Sequence, residues 1–368
     1  MTSAVGVTQQ MGAADACAEI RAQWGPTIPS LVVYFCSPKV DGRGLGRELR
    51  AAYPAARVVG CTSAGELGQG RLHAGSAVAM ALPEAIVGRP AVGVVRVGGS
   101  IDLQGLDGAV RERFGRGLGG LDHSAHVGLL LVDGLSFAEE ALMSALGAAS
   151  DAFFVGGSAG DDAAFERTQV FVDGAGFESA AACVVMEPRV PFGLVKTQSF
   201  RRLGRALRAT RVDAARRVVH ELDGRPALEA YADVIGVPAG EAAEHFHRYS
   251  LGLMVDGEPY VRSVQRAEGS GLVLYCSVLA GMDLEVLEAG DVIEDTRRAL
   301  EAQKQELGGL GALLVFDCIL RGSGLRKQGL EHAYGAVFQG APAAGFLTYG
   351  EQYLGHISHS ATMIAFGR

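Results

Sequence analysis

The sequence predicts a mixed α and β fold divided into two domains, each a mixed β-sheet with flanking helices. Three observations carry that expectation. The chain has 368 residues, 48% of them hydrophobic and 20% charged, so it can bury a large core and is longer than a single core usually grows. Apolar runs of strand length alternate with helical segments but also follow one another in pairs, which favours a sheet that is not purely parallel. The order strand ending in an acid, helix, strand, glycine-acid loop occurs around 130–161 and again around 313–351. One reading of that recurrence is a divergent internal duplication with two related lobes. The other is that strands often end in Gly, Ser and Asp because these residues favour turns.

Taken in order, the elements begin with an extension over 1–27, followed by an apolar strand Leu31–Cys36 and a helix Gly44–Tyr53. Strands Arg57–Gly60, Ala77–Leu82 and Val92–Val97 follow, then a helix Leu103–Phe114. The strand Val127–Asp133, a helix Ala138–Ala148, a glycine-rich loop and the strands Thr168–Val172 and Ala180–Met186 complete a first domain placed at 28–221. Arg201–Arg217 is the densest basic stretch, with seven arginines, and precedes a strand Val218–Leu222. The second domain, 222–368, opens with the turn Asp223-Gly224-Arg225-Pro226 and a helix to Ile235, proline sitting in the favoured first turn. Strands at Leu251–Val255, Tyr260–Val264 and Leu272–Ser277, a helix Asp291–Leu307, a strand Leu313–Asp317 and a helix Lys327–Phe338 lead to terminal strands around Tyr349–Gln352.

Composition removes several functions. A formal net charge of -8 argues against nucleic acid, whose binding depends on Lys and Arg displacing counterions. Met1–Arg21 has no apolar core of signal-peptide length, and no run reaches a membrane span, so a cytoplasmic protein with no membrane partner is expected. Six scattered cysteines read as reduced core fillers.

The chemistry concentrates in one phrase written three times: Ser63-Ala64-Gly65-Glu66, Ser158-Ala159-Gly160-Asp161 and Thr348-Tyr349-Gly350-Glu351, each after an apolar strand. Glycine lets the backbone approach a guest, and the hydroxyl and carboxylate offer hydrogen-bond acceptors. A ligand site is therefore expected among Cys61, Thr62, Ser63, Gly65, Glu66, Asp133, Ser158, Gly160, Asp161, Asp162, Tyr349 and Glu351. Gly156-Gly157-Ser158-Ala159-Gly160 also spells a nucleophile elbow, and Cys61 ends a strand as a nucleophile can, so an esterase-like hydrolase is an alternative. The strand that follows Ser158 where an elbow needs a helix speaks against it, and no enzyme is expected. Two histidine pairs, His245/His247 and His356/His359, have spacings that let both imidazoles share an ion. If a haem is bound, His247 or His245, which precede the apolar strand Leu251–Val255, are its expected ligands, ahead of His359 and His356.

These motifs resemble a known family. Val58–Glu66, Val132–Ser136 with Glu139-Glu140, and Val155–Asp162 are similar to the N-terminal FIST sensory domain. Glu221–Ala227 with Tyr231, Tyr249–Gly252 and Tyr349–Gln352 resemble its C-terminal partner domain. The resemblance implies a sensor of small ligands such as amino acids. It also implies signalling in trans to a histidine kinase, or to a diguanylate cyclase or phosphodiesterase acting on cyclic-di-GMP. The layout is similar to that of nitric-oxide-sensing haem proteins of the family, which makes a haem-based sensor the alternative. Many relatives carry histidine where Ser199 stands, so a haem here needs another ligand.

Overall fold

The computed structural model describes residues 2–368. They form two compact units interleaved along the chain, one of residues 2–196, 296–356 and 361–368, the other of 197–295 and 357–360. The domain boundary expected at 221/222 falls inside the smaller unit.

The larger unit repeats one pattern three times: strand, helix, strand, helix, strand, loop, two-strand hairpin, strand. The first repeat is β1 (Ala4–Thr8), α1 (Ala13–Trp24), β2 (Leu31–Cys36), α2 (Gly42–Ala52), β3 (Arg57–Thr62), β4 (Glu66–Gly68), β5 (Arg71–His73) and β6 (Ala77–Leu82). After a one-turn helix α3 (Glu84–Val87) come β7 (Ala91–Arg96), α4 (Gln104–Phe114), β8 (Val127–Val132), α5 (Glu139–Ala149), β9 (Phe153–Ser158), β10 (Val170–Val172), β11 (Ala175–Phe177) and β12 (Ala180–Met186). The third repeat starts with β13 (Phe192–Thr197) and is then interrupted by the smaller unit. That unit consists of β14 (Phe200–Asp213), β15 (Val218–Leu222), β16 (Arg225–Pro226), α6 (Ala227–Ile235), β17 (Tyr249–Val255), β18 (Glu258–Arg262), β19 (Val264–Glu268), β20 (Gly271–Leu274) and β21 (Asp283–Ala289). The repeat resumes with α7 (Val292–Glu306), β22 (Ala312–Cys318), α8 (Ile319–Gln328), α9 (Glu331–Ala336), β23 (Ala343–Thr348), β24 (Glu351–Tyr353), β25 (His356–Ile357) and β26 (Ala361–Phe366).

Each repeat builds a six-stranded sheet in the same order: its first strand, its last, its second, its third, then a hairpin lent by another repeat. The hairpin β4-β5 lies beside β23, β24-β25 beside β9, and β10-β11 beside β3. Hairpins are thus exchanged in a cycle, and no repeat completes its sheet alone. The recurrence expected from the sequence is present, three times rather than twice. Second and third strands pair in parallel across a helical crossover, and their other neighbours run antiparallel.

Three glycines mark the same point of the three parallel pairs. Gly60 lies opposite Tyr34, Gly156 opposite Leu130, and Gly345 opposite Val315. A Cβ there would stand 2.5, 1.8 and 2.3 Å, respectively, from the facing carbonyl oxygen, so no larger residue fits.

The central strands are apolar on both faces because both faces are covered. Leu31, Val33 and Phe35, Val127, Leu129 and Leu131, and Ala312, Leu314 and Phe316 join one inner core shared by the three sheets. Outward, Val32 and Tyr34 meet Ile20, Trp24, Leu45 and Leu49 of α1 and α2, while Leu130 and Val132 meet α4 and α5. The stretch 1–27, expected as an extension, contains β1 and α1, with Ala16, Ile20 and Trp24 buried on one helical face. The helix expected over Lys327–Phe338 is two helices, because Gly329 (φ 68°) ends α8.

In the smaller unit β18-β17-β21-β14-β15-β20-β19 form a sheet with antiparallel pairings, and α6 packs Ala227, Ala230 and Tyr231 into its core. The arginine-rich stretch is largely β14. Arg202 pairs with Glu285, Arg208 with Asp283 and Arg211 with Glu221 on neighbouring strands, which accounts for these arginines as cross-strand partners of acids.

Candidate functional site

The three loops that follow β3, β9 and β23 meet in a closed ring of backbone hydrogen bonds. Gly160 N–H donates to the Thr62 carbonyl and Asp162 N–H to that of Ser63, each at 3.0 Å. Ala64 N–H donates to Leu347 O at 3.1 Å, and Leu347 N–H to Gly65 O at 2.7 Å. Ser158 N–H donates to Gly350 O at 2.8 Å, and Tyr349 N–H to Ser158 O at 3.0 Å. The fit is close: a Cβ on Gly160 would lie 2.8 Å from Ala64, and one on Gly134 would lie 2.0 Å from the Ala159 carbonyl oxygen.

The same bonds set which residues correspond. Thr62, Ser158 and Leu347 occupy one position, so Ser63 and Thr348 match Ala159, one residue away from the match that the spelling suggests. Pairing agrees, since Glu66 lies opposite Phe346, Glu351 opposite Gly157 and Val170 opposite Cys61. Loops 1 and 3 therefore hold a hydroxyl-carboxylate pair where loop 2 holds Ala159 and Val170.

Those pairs are wholly buried and closed on themselves. Ser63 Oγ donates to Glu66 Oε1 at 2.5 Å, and the other oxygen accepts from Ser76 Oγ at 2.5 Å and Ser76 N–H at 3.1 Å. Burial raises the Glu66 carboxyl to about 7, against the pull of those Ser63 and Ser76 bonds and with a smaller push from Asp162. Thr348 Oγ1 donates to Glu351 Oε1 at 2.7 Å. Ser76 is absent from the sequence-derived set because it lies ten residues from Glu66, on the far side of the β4-β5 hairpin.

The longer loop 2 carries the remaining acids. Asp161 accepts from the N–H groups of Phe165, Glu166 and Arg167 at 2.7–2.8 Å and from the Tyr349 hydroxyl. Burial works against its charge, but Tyr349 and those backbone donors outweigh it and hold the carboxyl below its ordinary value. Asp162 faces outward more than its neighbour: Ser37 Oγ donates to it at 2.7 Å and the exposed Lys39 ammonium stands 3.8 Å away. Asp162, Ala163 and Phe165 all have positive φ, a concentration of strained backbone in one loop, and Phe165 stacks on Tyr349 at 4.5 Å. Asp133 accepts from Leu135 N–H, Ser179 N–H and the Thr168 hydroxyl. Thr62 Oγ1 accepts from Gln169 N–H, and Gly65 adopts φ 136°.

The sequence comparison agrees with this architecture. The FIST N domain family matches residues 30–225 and the FIST C domain family residues 227–354. The chain belongs to the FIST family. FIST domains are signal-transduction sensor domains that bind small ligands. No curated protein matches the chain. The FIST N match runs from β2 of the first repeat through the second repeat and β13 into the smaller unit, while the FIST C match runs from α6 of that unit to β24 of the third repeat.

In this FIST chain the two residues considered as nucleophiles are not prepared for attack. Ser158 donates to a Glu139 carboxylate oxygen at 3.0 Å and accepts from the Gln352 amide at 2.9 Å, so these two partners of its hydroxyl are a carboxylate and an amide and not the imidazole of a triad. Cys61 is fully buried in the inner core, and burial pushes its thiol well above the ordinary value. The four histidines considered for haem lie in different surroundings. His247 is exposed and His245 half-buried with its ring 6.4 Å from that of Tyr249, while Phe246 between them joins the core. His359 contacts Ser263 Oγ at 3.1 Å and lies edge-on to Phe200, and His356 is packed so closely under Gly350 that a Cβ there would lie 2.2 Å from its ring. Among the described residues no group of three or more His, Cys, Asp or Glu is arranged around a metal, and no helix is long and apolar enough to cross a membrane.

Proposed function

We propose that this chain is a cytoplasmic sensor of small zwitterionic molecules such as amino acids, signalling in trans to a histidine kinase or a cyclic-di-GMP enzyme. The observation that carries the reading is the asymmetry of the loop ring. Two loops close their hydroxyl-carboxylate pairs inward, whereas loop 2 is longer, strained, and presents Asp162 beside Lys39 at the carboxyl ends of parallel strands, where ligands of α/β sheets gather. A carboxylate and an ammonium 3.8 Å apart, loosely paired and partly exposed, match the two charges of an amino acid. Asp161, Tyr349 and Gly160 would hold the loop in shape, and Glu66 and Glu351 would support it from below.

The test is thermal stabilisation of the full chain across a panel of amino acids and metabolites. A ligand at a hundred times its dissociation constant stabilises by about 2.7 kcal/mol. Asp162→Ala is expected to remove the shift without lowering the unliganded melting temperature, and Asp161→Ala to remove it while also loosening the loop. A panel that moves nothing, or a shift unchanged in Asp162→Ala, overturns the reading. The reading is put forward without haem. A Soret band lost on alanine substitution of His245, His247, His356 or His359 would replace it.

A further inference from the structure

A second concavity lies in the larger unit, away from the loop ring. At the amino end of β9 and the carboxyl end of β24 a cleft of ≈ 580 Å³ lies between β9, β24 and β13, within the usual range for a small-molecule site. Phe153, which starts β9, is separated from Ser158 at the ring by the length of that strand, about 17 Å. The apolar lining includes Phe153, Val155, Phe192, Leu194, Tyr353 and Leu354; the polar lining is His123, its ring 5.7 Å from that of Phe153, with Ser124 and Glu306.

The threefold repetition shows the same turn with polar residues in the other two repeats. The turn after β24 corresponds to those after β4 and β10, and Gln69, Asp173 and Leu354 occupy the same place with φ 51°, 49° and 54°. In the first repeat Gln69 Nε2 donates to Gln23 Oε1 at 2.8 Å, across a smaller groove of ≈ 360 Å³. In the second, Asp173 accepts from Arg57 Nε and Val58 N–H at 2.9 Å, and the following Gly174 is shut against Arg47. Only here does the turn carry a large apolar side chain. Leu354 is 60% exposed and Phe153 38% exposed, and a left-handed backbone is costly for leucine. The fold has a polar solution at this turn and uses it twice. An exposed, strained leucine over an aromatic-walled cleft is accounted for by a guest.

We infer that the cleft binds a flat, uncharged aromatic molecule, face or edge against Phe153, Phe192 and Tyr353 and beneath Leu354. The site goes beyond the proposed zwitterion sensor and does not depend on it.

The probe is N-phenyl-1-naphthylamine, an uncharged aromatic fluorophore, titrated into the full chain. Saturable one-site enhancement is expected, displaced by 1-naphthol. Leu354→Gln, which installs the first repeat's residue, and Phe153→Ser should each weaken it by about tenfold or more, the equivalent of one good apolar contact, with the melting temperature unchanged. Gln69→Leu, in the equivalent turn, should leave it unaltered. No saturable enhancement, or binding that both cleft variants keep within about twofold, would sink the assignment. Displacement by dodecanoate but not by 1-naphthol would likewise overturn it in favour of an acyl chain. Amino-acid stabilisation unaffected by Leu354→Gln separates this site from the one at the loop ring.

Discussion

Arg321→Met is expected to destabilise the larger unit by about 3–5 kcal/mol, the usual cost of removing one partner from a buried ion pair. Arg321, in the first turn of α8, is 2% exposed. Its Nε lies 2.8 Å from Asp317 Oδ1 as an ion pair, and its Nη2 donates to Thr296 Oγ1 at 2.9 Å and to the Tyr334 hydroxyl at 3.0 Å. One guanidinium therefore ties α7, α8 and α9 to the outer face of β22. Desolvation works against its charge, but Tyr334 and Asp317 outweigh it. Burial pushes the Asp317 carboxyl up against the pull of Arg321 and Tyr334, so without the arginine that carboxyl takes a proton or stays unpaired. In the other repeats the position of Asp317 is held by Cys36 and Val132, both apolar and packed under helices. Asp317→Val combined with Arg321→Met should therefore recover most of the loss. Urea unfolding read on Trp24, the sole tryptophan and buried in α1, gives the measurement. Equal stability of the single variant and wild type, or additive losses in the double variant, would contradict the account.

The contrast between that network and the apolar layers explains what the sequence discloses. Leu31–Cys36, Ala77–Leu82, Val127–Val132 and Ala180–Met186 are strands nearly as read, because burial on both faces leaves an unbroken apolar run. β14 does not have that signature: most of its side chains are exposed, so a fourteen-residue strand reads as a run of arginines. The exchange of hairpins involves partners far apart in sequence, such as Gly157 opposite Glu351, and no local pattern records it. Part of the threefold repeat was legible. The glycines at 60, 156 and 345 align the loops in their true register, whereas the shared spelling Ser-Ala-Gly-acid shifts Ser158 onto Ser63 by one residue. Spelling followed chemistry, but register follows the closest approach of two backbones, which only glycine permits. The boundary near 222 is a change of sequence pattern, and compactness does not follow it because the smaller unit is inserted between β13 and α7.

Stability of the larger unit should fall as pH rises from about 4.5 to about 7, and Glu66→Gln should flatten that fall. The folded carboxyl titrates near 7 against an ordinary 4.5, because it is wholly buried beneath the loop ring. Below the ordinary value both folded and unfolded chains carry the proton, and Glu66 adds no pH dependence. Between the two values the unfolded chain has released its proton while the folded one retains it, so each unit of pH favours unfolding by about 1.4 kcal/mol. Above the folded value both are ionised and the full penalty, roughly 3 kcal/mol, is present. Glutamine keeps the acceptor for Ser76 and turns an amide donor to Ser63 Oγ, so the cluster survives without a charge. Urea midpoints read on Trp24 at about pH 5.5 and about pH 8 should therefore separate by roughly 2 kcal/mol more in the wild type than in Glu66→Gln. Parallel pH profiles would mean that the carboxyl ionises freely in the folded chain. The bonds from Ser63 and Ser76 would then outweigh burial, and the loop ring would be a solvated anion site, not a closed one.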